Sequence, residues 1–528
     1  MDHSDMANSR FFVMLLSLLA SVLLSPSATS ASAKGEVAVA RIFSDHMILQ
    51  RELPVPIWGK ATAGAMVTVQ FDDQSVQVKS EADGRWRIEL KPMKASAVGR
   101  ELVVQSGDQR VAFKDVLVGE VWFAGGQSNM AYTAGEMAKR LPQGKKVVDA
   151  AKLPGLRFRR IHDRDSPLPK DDLAGGSWDV CTPQAIANHS AVAFVFARRL
   201  HEALKVPVGI IDCSWGGTPI EPYIPASAFT GHPTLEKLAA YAKAGDIDAI
   251  KKMTGGTFVR SPAWLAGAIY NGRIAPVAPY AIRGTIWYQG ESNCGTGEDP
   301  RDYAHKMRAL IQGWRDAWGR PELPCYFVQL PQWNSYAWTY LREEQRQAMD
   351  VKHTGMVVTI DLDNAGDIHP PNKIDVGERL ALWPLEKVYS KEFSPGRETV
   401  ISGPLYREVT LRESAIIVKF DHIGGGLMTA RSTAVEQVVG DPDTALGGFE
   451  LTGSDGVWHA AEAKIEGETV VVSSRQVKQP LAVRYACHPK VPSGTIWNLY
   501  NGEGLPASPF CSDWSRMPYD PAKNPMPK

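Results

Sequence analysis

The sequence predicts an α/β protein whose central domain is a doubly wound parallel sheet, flanked on each side by a β-sandwich-like module. Three observations lead to this prediction. The chain has 528 residues, more than one compact domain commonly holds. Between residues 116 and 398, short apolar runs alternate with segments of helical periodicity, as in parallel sheets covered by helices. On both sides of that interval, apolar residues recur at every second position, the period of half-buried strands.

The first 33 residues are predicted to be an export signal. Arg10 precedes the apolar run Phe11–Leu24, and Ala31-Ser32-Ala33 has the small-x-small form of a signal peptidase site. The run is shorter than the roughly 20 residues that a membrane span needs. We therefore expect cleavage after Ala33 and an exported protein, periplasmic or extracellular. An uncleaved anchor is the alternative, because Asp2 and Asp5 weaken the positive charge ahead of the run.

Two β modules are predicted to flank the central domain, over residues 34–115 and 399–528. In the first module, apolar residues alternate with polar ones around Val69 and again around Ile88. No helical segment interrupts this pattern, so a small β-sandwich is expected. In the second module the same alternation returns around Val418, between glycine-rich turns.

The central domain, residues 116–398, is predicted from five strand-like runs and four helical segments. The runs are short and apolar throughout, as expected for strands buried on both faces of a parallel sheet. The predicted strands are Val116–Phe123, Val208–Cys213, Gly284–Gln289, Cys325–Leu330 and Gly355–Ile360. The predicted helices are Ala191–Leu204, Ala263–Arg273, Tyr303–Trp318 and Tyr340–Met349. A more polar, partly helical insertion at about residues 225–260 is a candidate lid or rim.

Charge and cysteine content exclude several classes of function. Basic and acidic residues number 58 each, so there is no basic field for nucleic acid, and we expect no nucleic-acid partner. The six cysteines form no CxxC pair and no zinc spacing, so no metal is expected. Export would permit up to three disulfides. Several cysteines lie in apolar strand-like runs, however, where buried free thiols are the commoner outcome.

Polar clusters directly follow four of the predicted strands. The first strand leads into Gln127-Ser128-Asn129, the second into Ser214–Thr218, and the third into Gln289–Asn293. The fifth is followed by DLDNAGDIHPPNKID, a polar stretch that contains Asp367 and His369. Because the carboxyl ends of parallel strands meet at one edge of the sheet, these clusters are predicted to form one site.

Ser128 and His369 are the predicted nucleophile and general base of an acyl-transfer reaction. The expected oxyanion donors are the backbone N–H of Ser128, an N–H of Gly216-Gly217, and the side-chain amide of Asn293. The segment is not the nucleophile elbow of α/β-hydrolases, which requires glycine where Met130 stands. Taken alone, such a turn is more often a helix cap without a chemical role.

Together the blocks resemble the SGNH hydrolase superfamily, and within it the branch of sialate O-acetylesterases and related carbohydrate acetylesterases. The matching blocks are Gly126–Met130, Ser214–Thr218, Trp287–Asn293 and Asp367–Pro370, and the similarity extends over residues 40–515. The resemblance implies a secreted serine esterase that removes acetyl groups from sugar hydroxyls without a metal or other cofactor. Sialic acid is the first substrate that it implies, with acetylated xylan or another glycan second.

The histidine block departs from the pattern of many SGNH enzymes. Those enzymes carry aspartate three residues before the histidine, where this chain has Gly366, and Asp367 stands two before it. Residues two apart in an extended segment are roughly 6.6 Å apart, so Asp367 completes a triad only if the loop curls. Asp361 or Asp363 could serve instead, or a backbone carbonyl could orient the imidazole in a Ser-His dyad. Asp367 would then be a capping or Asx-turn carboxylate.

The other polar residues of the blocks are expected to support the site. Gln127 and Asn129 are predicted to brace the serine turn. Gln289 and Glu291 either touch the ester or hold the loops together. Holding the loops together is the favoured role for Glu291, because a buried carboxylate would oppose the formation of a negative oxyanion close to it.

Aromatic residues near strand ends are candidates for stacking on a sugar ring. One of them lies beside Gly216 in the second block, and three crowd the loop Pro331–Tyr340, which is therefore predicted to form a wall of the binding site. Core packing is the alternative for each of these residues. They are Trp215, Trp333, Tyr336 and Trp338.

Two other classes of protein compete with the esterase. The first is a non-catalytic glycan-binding protein, in which two β modules surround an inactive α/β core. The presence of Ser128, Asn293 and His369 argues against it. A thioesterase or lipase is a weaker option, because no extended apolar loop suggests an acyl-chain tunnel. The sequence indicates no particular oligomeric state.

Overall fold

The computed structural model of the chain describes residues 37–246, 248–250, 266–295, 299–362, 366–431, 438–488 and 497–524. It is a mixed α/β fold, with a central mixed sheet and further antiparallel sheets towards both ends of the chain. The predicted export signal, residues 1–33, lies outside the described residues. Within the described ranges, no helix has the length and apolar character that crossing a membrane would require.

The first module consists of strands that lead into the central sheet. They are β1 (Ala38–Val39), β2 (Ile48–Gln50), β3 (Val55–Lys60), β4 (Met66–Phe71), β5 (Gln74–Lys79), β6 (Arg85–Leu90), β7 (Ser96–Ser106) and β8 (Gln109–Gly126). Strands β1, β3 and β6 form one antiparallel sheet, and β5, β4, β7 and β8 are neighbours in another. The predicted alternation along β4 is confirmed, because Val67, Val69 and Phe71 are buried and the residues between them are not.

The central sheet contains the five strands that the sequence predicted and two that it did not. The strands after β8 are β9 (Leu153–Arg160), β10 (Asp179–Cys181), β11 (Val208–Asp212), β12 (Gly284–Tyr288), β13 (Cys325–Val328) and β14 (Thr354–Val357). Their order is β10-β9-β11-β8-β12-β13-β14, and each neighbouring pair is parallel except β10 with β9. Strands β11, β12 and β13 are buried along their whole length, as their apolar runs predicted.

Strand β8 is shared by the first module and the central sheet. Its first half pairs antiparallel with β7. Its second half lies between β11 and β12 and is parallel to both, ending where Gly126 faces Tyr288. Because the strand is continuous over 18 residues, the first module and the start of the predicted site are parts of one sheet.

Helices connect the strands of the central sheet. They are α1 (Ser128–Ala131), α2 (Ala134–Arg140), α3 (Pro142–Asp149), α4 (Pro183–Ile186), α5 (Ala191–Leu204), α6 (Pro233–Ala244), α7 (Tyr303–Ala317), α8 (Tyr336–Gln347), α9 (Lys373–Lys387) and α10 (Ser390–Phe393). Helix α5 has the predicted bounds, whereas α8 begins at Tyr336 rather than Tyr340. The predicted helix at 263–273 is described only from residue 266 and contains a π-helical turn, Tyr270–Ile274. Helix α6 lies in the predicted insertion, of which residues 247 and 251–260 are outside the described ranges.

The last part of the chain is a second set of antiparallel strands. They are β15 (Leu405–Arg412), β16 (Ala415–Asp421), β17 (Leu427–Arg431), β18 (Val439–Gly440), β19 (Phe449–Thr452), β20 (Trp458–Ala460), β21 (Glu462–Glu466), β22 (Thr469–Ser473), β23 (Ala482–Tyr485), β24 (Leu499–Asn501) and β25 (Phe510–Cys511). They form sheets ordered β15-β16-β22-β21, β18-β17-β24 and β20-β19-β23-β25. All six cysteines are buried thiols that take part in no disulfide within the described residues, the outcome that the sequence favoured.

Candidate active site

Strand β8 ends in a turn that presents Ser128 at the carboxyl edge of the central sheet. Gly126 has a φ of +136°, and a Cβ at this residue would lie 2.1 Å from the carbonyl oxygen of Tyr288 in β12. Only glycine fits there. The carbonyl oxygen of Gly126 accepts from the N–H of Trp215 at 2.9 Å and from the hydroxyl of Tyr223 at 2.7 Å. The main chain of the serine turn is therefore held by one backbone donor and one side-chain donor, and it lies directly against β12.

Ser128 and His369 are in contact, although they are far apart in the sequence. Nε2 of His369 lies 2.8 Å from Oγ of Ser128. Burial lowers the pKa of His369, and the charge of Lys373 lowers it further. The imidazole is therefore neutral near pH 7, so the serine hydroxyl donates to Nε2. This is the contact that a nucleophile makes with its general base.

The loop that carries His369 is held through its backbone. The N–H of His369 donates to Oδ1 of Asp367 at 2.8 Å, and the other carboxylate oxygen of Asp367 pairs with the guanidinium of Arg140. Arg140 also donates to the carbonyl oxygen of His369 at 3.4 Å. The carbonyl oxygen of Ile368 accepts from Nδ2 of Asn129 at 3.0 Å. Contacts from α2 and from the serine turn thus set the position of the imidazole.

The expected triad contact of Asp367 is not formed. Its carboxylate caps the backbone of its own loop, and among the described residues it makes no hydrogen bond to the imidazole. Burial raises the pKa of Asp367, but the N–H of His369 and the charge of Arg140 lower it by more. Asp361 does not replace it, because its two oxygens pair with Arg379 at 2.8 and 2.7 Å. Asp363 lies outside the described residues.

Backbone N–H groups beside Ser128 are available to an oxyanion. Ser128 begins α1, so its N–H has no partner within the helix. Gly216 lies against it, since a Cβ on Gly216 would be 3.6 Å from Cβ of Ser128. Over the ranges that the structure describes, the N–H groups of Ser128, Gly216 and Gly217 donate no hydrogen bond. The first two predicted sources of donors therefore lie next to Ser128.

The predicted donor Asn293 requires a correction. Its Nδ2 lies 3.1 Å from each carboxylate oxygen of Glu221. Its Oδ1 accepts from the N–H of Ile220 at 3.0 Å and from Gln289 at 2.8 Å. Because the donor of Ile220 is a backbone group, the orientation of the amide is fixed. Asn293 is 2% exposed and holds the third block to its neighbours, so its amide is occupied and does not line the cavity over Ser128.

Gln127 places a side-chain amide beside the nucleophile. Its Oε1 accepts from Nε2 of Gln289 and from the N–H of Ser292, each at 3.0 Å. Its Nε2 consequently points towards Oγ of Ser128, at 3.4 Å. Oε1 of the fully buried Gln289 accepts from the hydroxyl of Tyr303 at 2.6 Å. These contacts agree with the bracing expected of Gln127, and they give Gln289 the loop-holding role of its two alternatives.

Asn129 joins the serine turn to two buried charges. Its Nδ2 donates to Oε1 of Glu291 at 2.5 Å, and its Oδ1 accepts from Nζ of Lys373 at 2.5 Å. Burial raises the pKa of Glu291, and the hydrogen bond from Asn129 opposes that rise. Lys373 was not among the site residues that the sequence predicted. The signal for it was the capping residue Asn372, which starts α9 directly after the histidine block.

A cavity of about 420 Å³ lies over Ser128. This volume is in the range that small ligands occupy. One wall is helix α2, which the capping box of Thr133 and Glu136 starts. The lining residues are Ser128, Ala131, Tyr132, Glu136, Lys139, Arg140, Gly216 and His369. Within the described residues, no three carboxylate, histidine or cysteine side chains are grouped closely enough to hold a metal ion.

The aromatic residues expected to stack on a sugar do not line this cavity, which corrects the predicted binding wall. They are Trp215, Trp333, Tyr336 and Trp338. Trp338 is buried and its indole N–H donates to a backbone carbonyl of its own loop at 2.7 Å. Tyr336 stacks on Tyr519 of the C-terminal segment, with ring centroids 5.4 Å apart. Trp215 lies 4.1 Å from the guanidinium of Arg273.

Comparison with known proteins assigns this fold and site to a family. Residues 118–384, which include both Ser128 and His369, match the family model described as "Carbohydrate esterase, sialic acid-specific acetylesterase". The chain belongs to this family of carbohydrate esterases. It is therefore a carbohydrate O-acetylesterase, an enzyme that removes O-acetyl groups from sugars.

Relatives of this carbohydrate O-acetylesterase extend the match beyond the central domain. Sialate O-acetylesterase of Rattus norvegicus is 27% identical over 424 residues, which are 70% of this chain and 76% of the rat protein. The Homo sapiens protein of the same name is 28% identical over 418 residues, 70% of this chain and 74% of its own length. A carbohydrate acetylesterase from Xanthomonas citri is 31% identical, with a TM-score of 0.76 over 90% of this chain and 100% of that one. Its match includes residues of the β modules as well as the central sheet.

Proposed function

We propose that this carbohydrate O-acetylesterase acts on O-acetylated sialic acid through an acetyl-enzyme on Ser128. Oγ of Ser128 attacks the acetyl carbonyl carbon while Nε2 of His369 takes the hydroxyl proton. The N–H groups of Ser128 and of Gly216-Gly217 donate to the oxyanion, beside the amide of Gln127. When the tetrahedral intermediate collapses, His369 returns the proton to the sugar oxygen, which leaves as a hydroxyl group. Water, deprotonated by the same imidazole, then attacks the acetyl carbonyl, the bond from the acetyl carbon to Oγ breaks, and His369 returns the proton to Ser128 as acetate leaves.

The observation that carries this proposal is the 2.8 Å contact between Oγ of Ser128 and Nε2 of His369. It joins a serine and a histidine, residue types that suit a nucleophile and its base, at the distance that proton transfer requires. The lowered pKa of His369, caused first by burial and then by Lys373, keeps the imidazole in its basic form at neutral pH. The available N–H groups beside Ser128 supply the third requirement of acyl transfer.

We further propose a Ser-His dyad in which Asp367 is a positioning residue. Asp367 makes its hydrogen bond to the backbone N–H of His369, at 2.8 Å, and its charge raises the pKa of the imidazole from a distance. Its ion pair with Arg140 anchors the loop to α2. A carboxylate placed in this way orients the base without stabilising the imidazolium by a direct hydrogen bond, which is the main task of a triad aspartate.

Sialic acid as the substrate is supported by the charges on the cavity wall. Lys139 is exposed on α2 and lines the cavity, and within the described ranges it takes part in no ion pair or hydrogen bond. Its neighbour Arg140 is already paired with Asp367. A sialic acid carries a carboxylate that Lys139 can bind, whereas a neutral sugar does not. The curated relatives named sialate O-acetylesterase agree with this substrate. An acetylated xylan or other neutral glycan is the alternative.

We also propose that residues 116–398 form the doubly wound core of an SGNH hydrolase, on which the modules 34–115 and 399–528 pack rigidly. Parallel pairing of six strands in the order β9-β11-β8-β12-β13-β14 supports the first part. Tyr500 of the last module donates to Asp361 at 3.2 Å, which supports the second. Export with cleavage after Ala33 is part of the proposal, and N-terminal sequencing of the secreted protein tests it.

Acetate release tests both the mechanism and the substrate. The wild type, Ser128→Ala and Ser214→Ala are assayed on O-acetylated sialic acid, an acetylated xylo-oligosaccharide and an aryl acetate. Ser214 is the matched control, because it is a buried serine of the second block whose hydroxyl makes no hydrogen bond within the described ranges. We expect Ser128→Ala to lose at least about 10⁴-fold in rate on every substrate and Ser214→Ala to stay close to wild type.

Each other result of this assay decides against part of the proposal. Retained activity in Ser128→Ala would remove the nucleophile from the mechanism. Cleavage of the xylo-oligosaccharide alone would keep the esterase and replace sialic acid by a neutral glycan. No acetate from any of the three substrates would favour a protein that binds glycans without cleaving them.

A further inference from the structure

A lysine is completely buried beneath the histidine loop. Lys373 is 0% exposed, and its Nζ donates to Oδ1 of Asn129 at 2.5 Å. The ammonium also lies over the rings of Tyr132 and Tyr288, 5.0 and 5.5 Å from their centroids. Removing a charged lysine from water is costly unless an opposite charge lies close to it. A negatively charged group near Lys373 is therefore needed to offset the cost of burying its ammonium.

Glu291 supplies a negative charge on the other side of the same amide. It is 7% exposed, and its Oε1 accepts from Nδ2 of Asn129 at 2.5 Å. Burial raises the pKa of Glu291, and the hydrogen bond from Asn129 and the charge of Lys373 oppose this rise without cancelling it. Asn129 thus donates to the anion and accepts from the cation, so the two charges are linked through one side chain.

The same amide also contacts the histidine loop. Nδ2 of Asn129 donates to the carbonyl oxygen of Ile368, the residue before His369, at 3.0 Å. The charge of Lys373 acts on the imidazole in addition, since it lowers the pKa of His369 after burial. The other charged groups around the imidazole belong to its own loop and to α2. They include Asp367, Glu136 and Arg140, and Lys139 lines the same cavity.

We propose that Lys373 and Glu291, joined through Asn129, are a charge-balanced positioning pair that holds the His369 loop and sets the pH range in which the imidazole works as the base. This proposal rests on the proposed role of His369. Neither residue lines the cavity over Ser128, so both act through Asn129 and through their charge. The pair replaces the orienting and charge-setting functions that a triad aspartate performs by direct contact.

The test is the pH dependence of kcat/KM on an aryl acetate for wild type, Lys373→Met, Glu291→Gln and the double variant. The acid limb of this profile reports the free enzyme's base. Removing the cation makes the protonated imidazole easier to form, so Lys373→Met should move the limb to higher pH by about 0.5 unit or more. Glu291→Gln removes a negative charge that favours the protonated imidazole and should move the limb to lower pH. The double variant should lie between the two single variants.

Shifts in opposite directions separate this proposal from a structural role. Loss of packing alone would reduce the rate of both single variants, but it would not move their acid limbs in opposite directions. The tyrosines that face Lys373 do not interfere, because burial raises the pKa values of Tyr132 and Tyr288. Lys306→Met is the matched control, since Lys306 is another poorly exposed lysine, paired with the buried Glu221 at 2.8 Å. It should reduce thermal stability while leaving the acid limb in place.

The proposal is overturned if the limb stays in place, or if both single variants move it in the same direction. If Lys373→Met does not fold, Glu291→Gln alone tests the proposal, because this substitution is isosteric. The acid limb of kcat/KM for Glu291→Gln must then lie at lower pH than that of the wild type. Failure of the proposed function looks different. In that case the wild type shows no acid limb of a histidine, and His369→Ala keeps its activity.

Discussion

The two halves of the site are positioned by different kinds of contact. The serine turn is fixed by the main chain, through the glycine at residue 126 and the carbonyl groups of two strand ends. The histidine loop is fixed largely by side chains from other segments, chiefly Asn129 and Arg140. The proposed nucleophile thus directly follows a strand of the sheet, whereas the proposed base depends on polar contacts that a single substitution can remove.

The largest expected effect comes from a substitution in the serine turn, the half of the site that the main chain holds in place. In Gly126→Ala, the new Cβ would lie 2.1 Å from the carbonyl oxygen of Tyr288, at a φ of +136°. We expect a loss of about 2–4 kcal/mol in the free energy of unfolding and a loss of activity of roughly 100-fold or more. Urea unfolding and acetate release measure the two effects.

A substitution at a second glycine separates the strain of a positive φ from the steric contact with β12. Gly107 has a φ of +56°, and a Cβ there meets no atom within 4 Å. Gly107→Ala should therefore cost only about 1 kcal/mol and leave the activity unchanged. If Gly126→Ala behaved like this control, the serine turn would not depend on its contact with β12.

The sequence predicted the main-chain half of the site well. Strand period, the glycines of Gly125-Gly126 and the polar residues after each strand were sufficient to bring Ser128 and His369 to one edge of the sheet. These signals are local, and parallel pairing converts them into proximity. The oxyanion donors of the second block follow from the same reasoning.

The side-chain half was predicted less well, because its contacts join segments with no shared local pattern. Asp367 was expected at the imidazole, but it caps its own loop and pairs with Arg140. Asn293 was expected at the oxyanion, but a buried carboxylate, Glu221, takes its amide. Strand β9 was missed because Arg157 and Arg159 interrupt its apolar residues, although both are buried.

Asp367→Asn tests the side-chain half directly. The amide keeps an oxygen that can accept from the N–H of His369, so the loop should hold its shape, while the ion pair with Arg140 is lost. We expect kcat/KM for an aryl acetate to fall less than about 10-fold. A true triad aspartate changed in this way costs about 10⁴-fold. A loss of that size would show that Asp367 acts on the imidazole itself.

Lys139→Gln tests the side chains at the rim of the cavity, where helix α2 supplies the charged groups. Removing this cation should raise KM for O-acetylated sialic acid by about 5-fold, the effect of losing one partly screened ionic contact. It should leave KM for an acetylated xylo-oligosaccharide unchanged, and raising the salt concentration should reduce the difference between the variants. Equal effects on both substrates would contradict recognition of a carboxylate by Lys139.

The smallest expected effect is a displacement of the wild-type pH profile. Burial and the charge of Lys373 lower the pKa of His369 below its usual value of 6.5. The neutral imidazole therefore persists as the pH falls through 6.5, and kcat/KM should decline only at lower pH. An acid limb centred above that value would contradict the environment assigned to the base.

The acetyl-enzyme on Ser128 is the central claim, and rapid-quench mass spectrometry tests it most directly. The enzyme is mixed with excess aryl acetate and quenched in acid within the first turnover, and its intact mass and peptides are measured. We predict that one acetyl group is added, that it lies on the peptide containing Ser128, and that Ser128→Ala acquires none. Acetate release with no acetylated enzyme, or an acetyl group on another residue that turns over at the catalytic rate, would contradict the account.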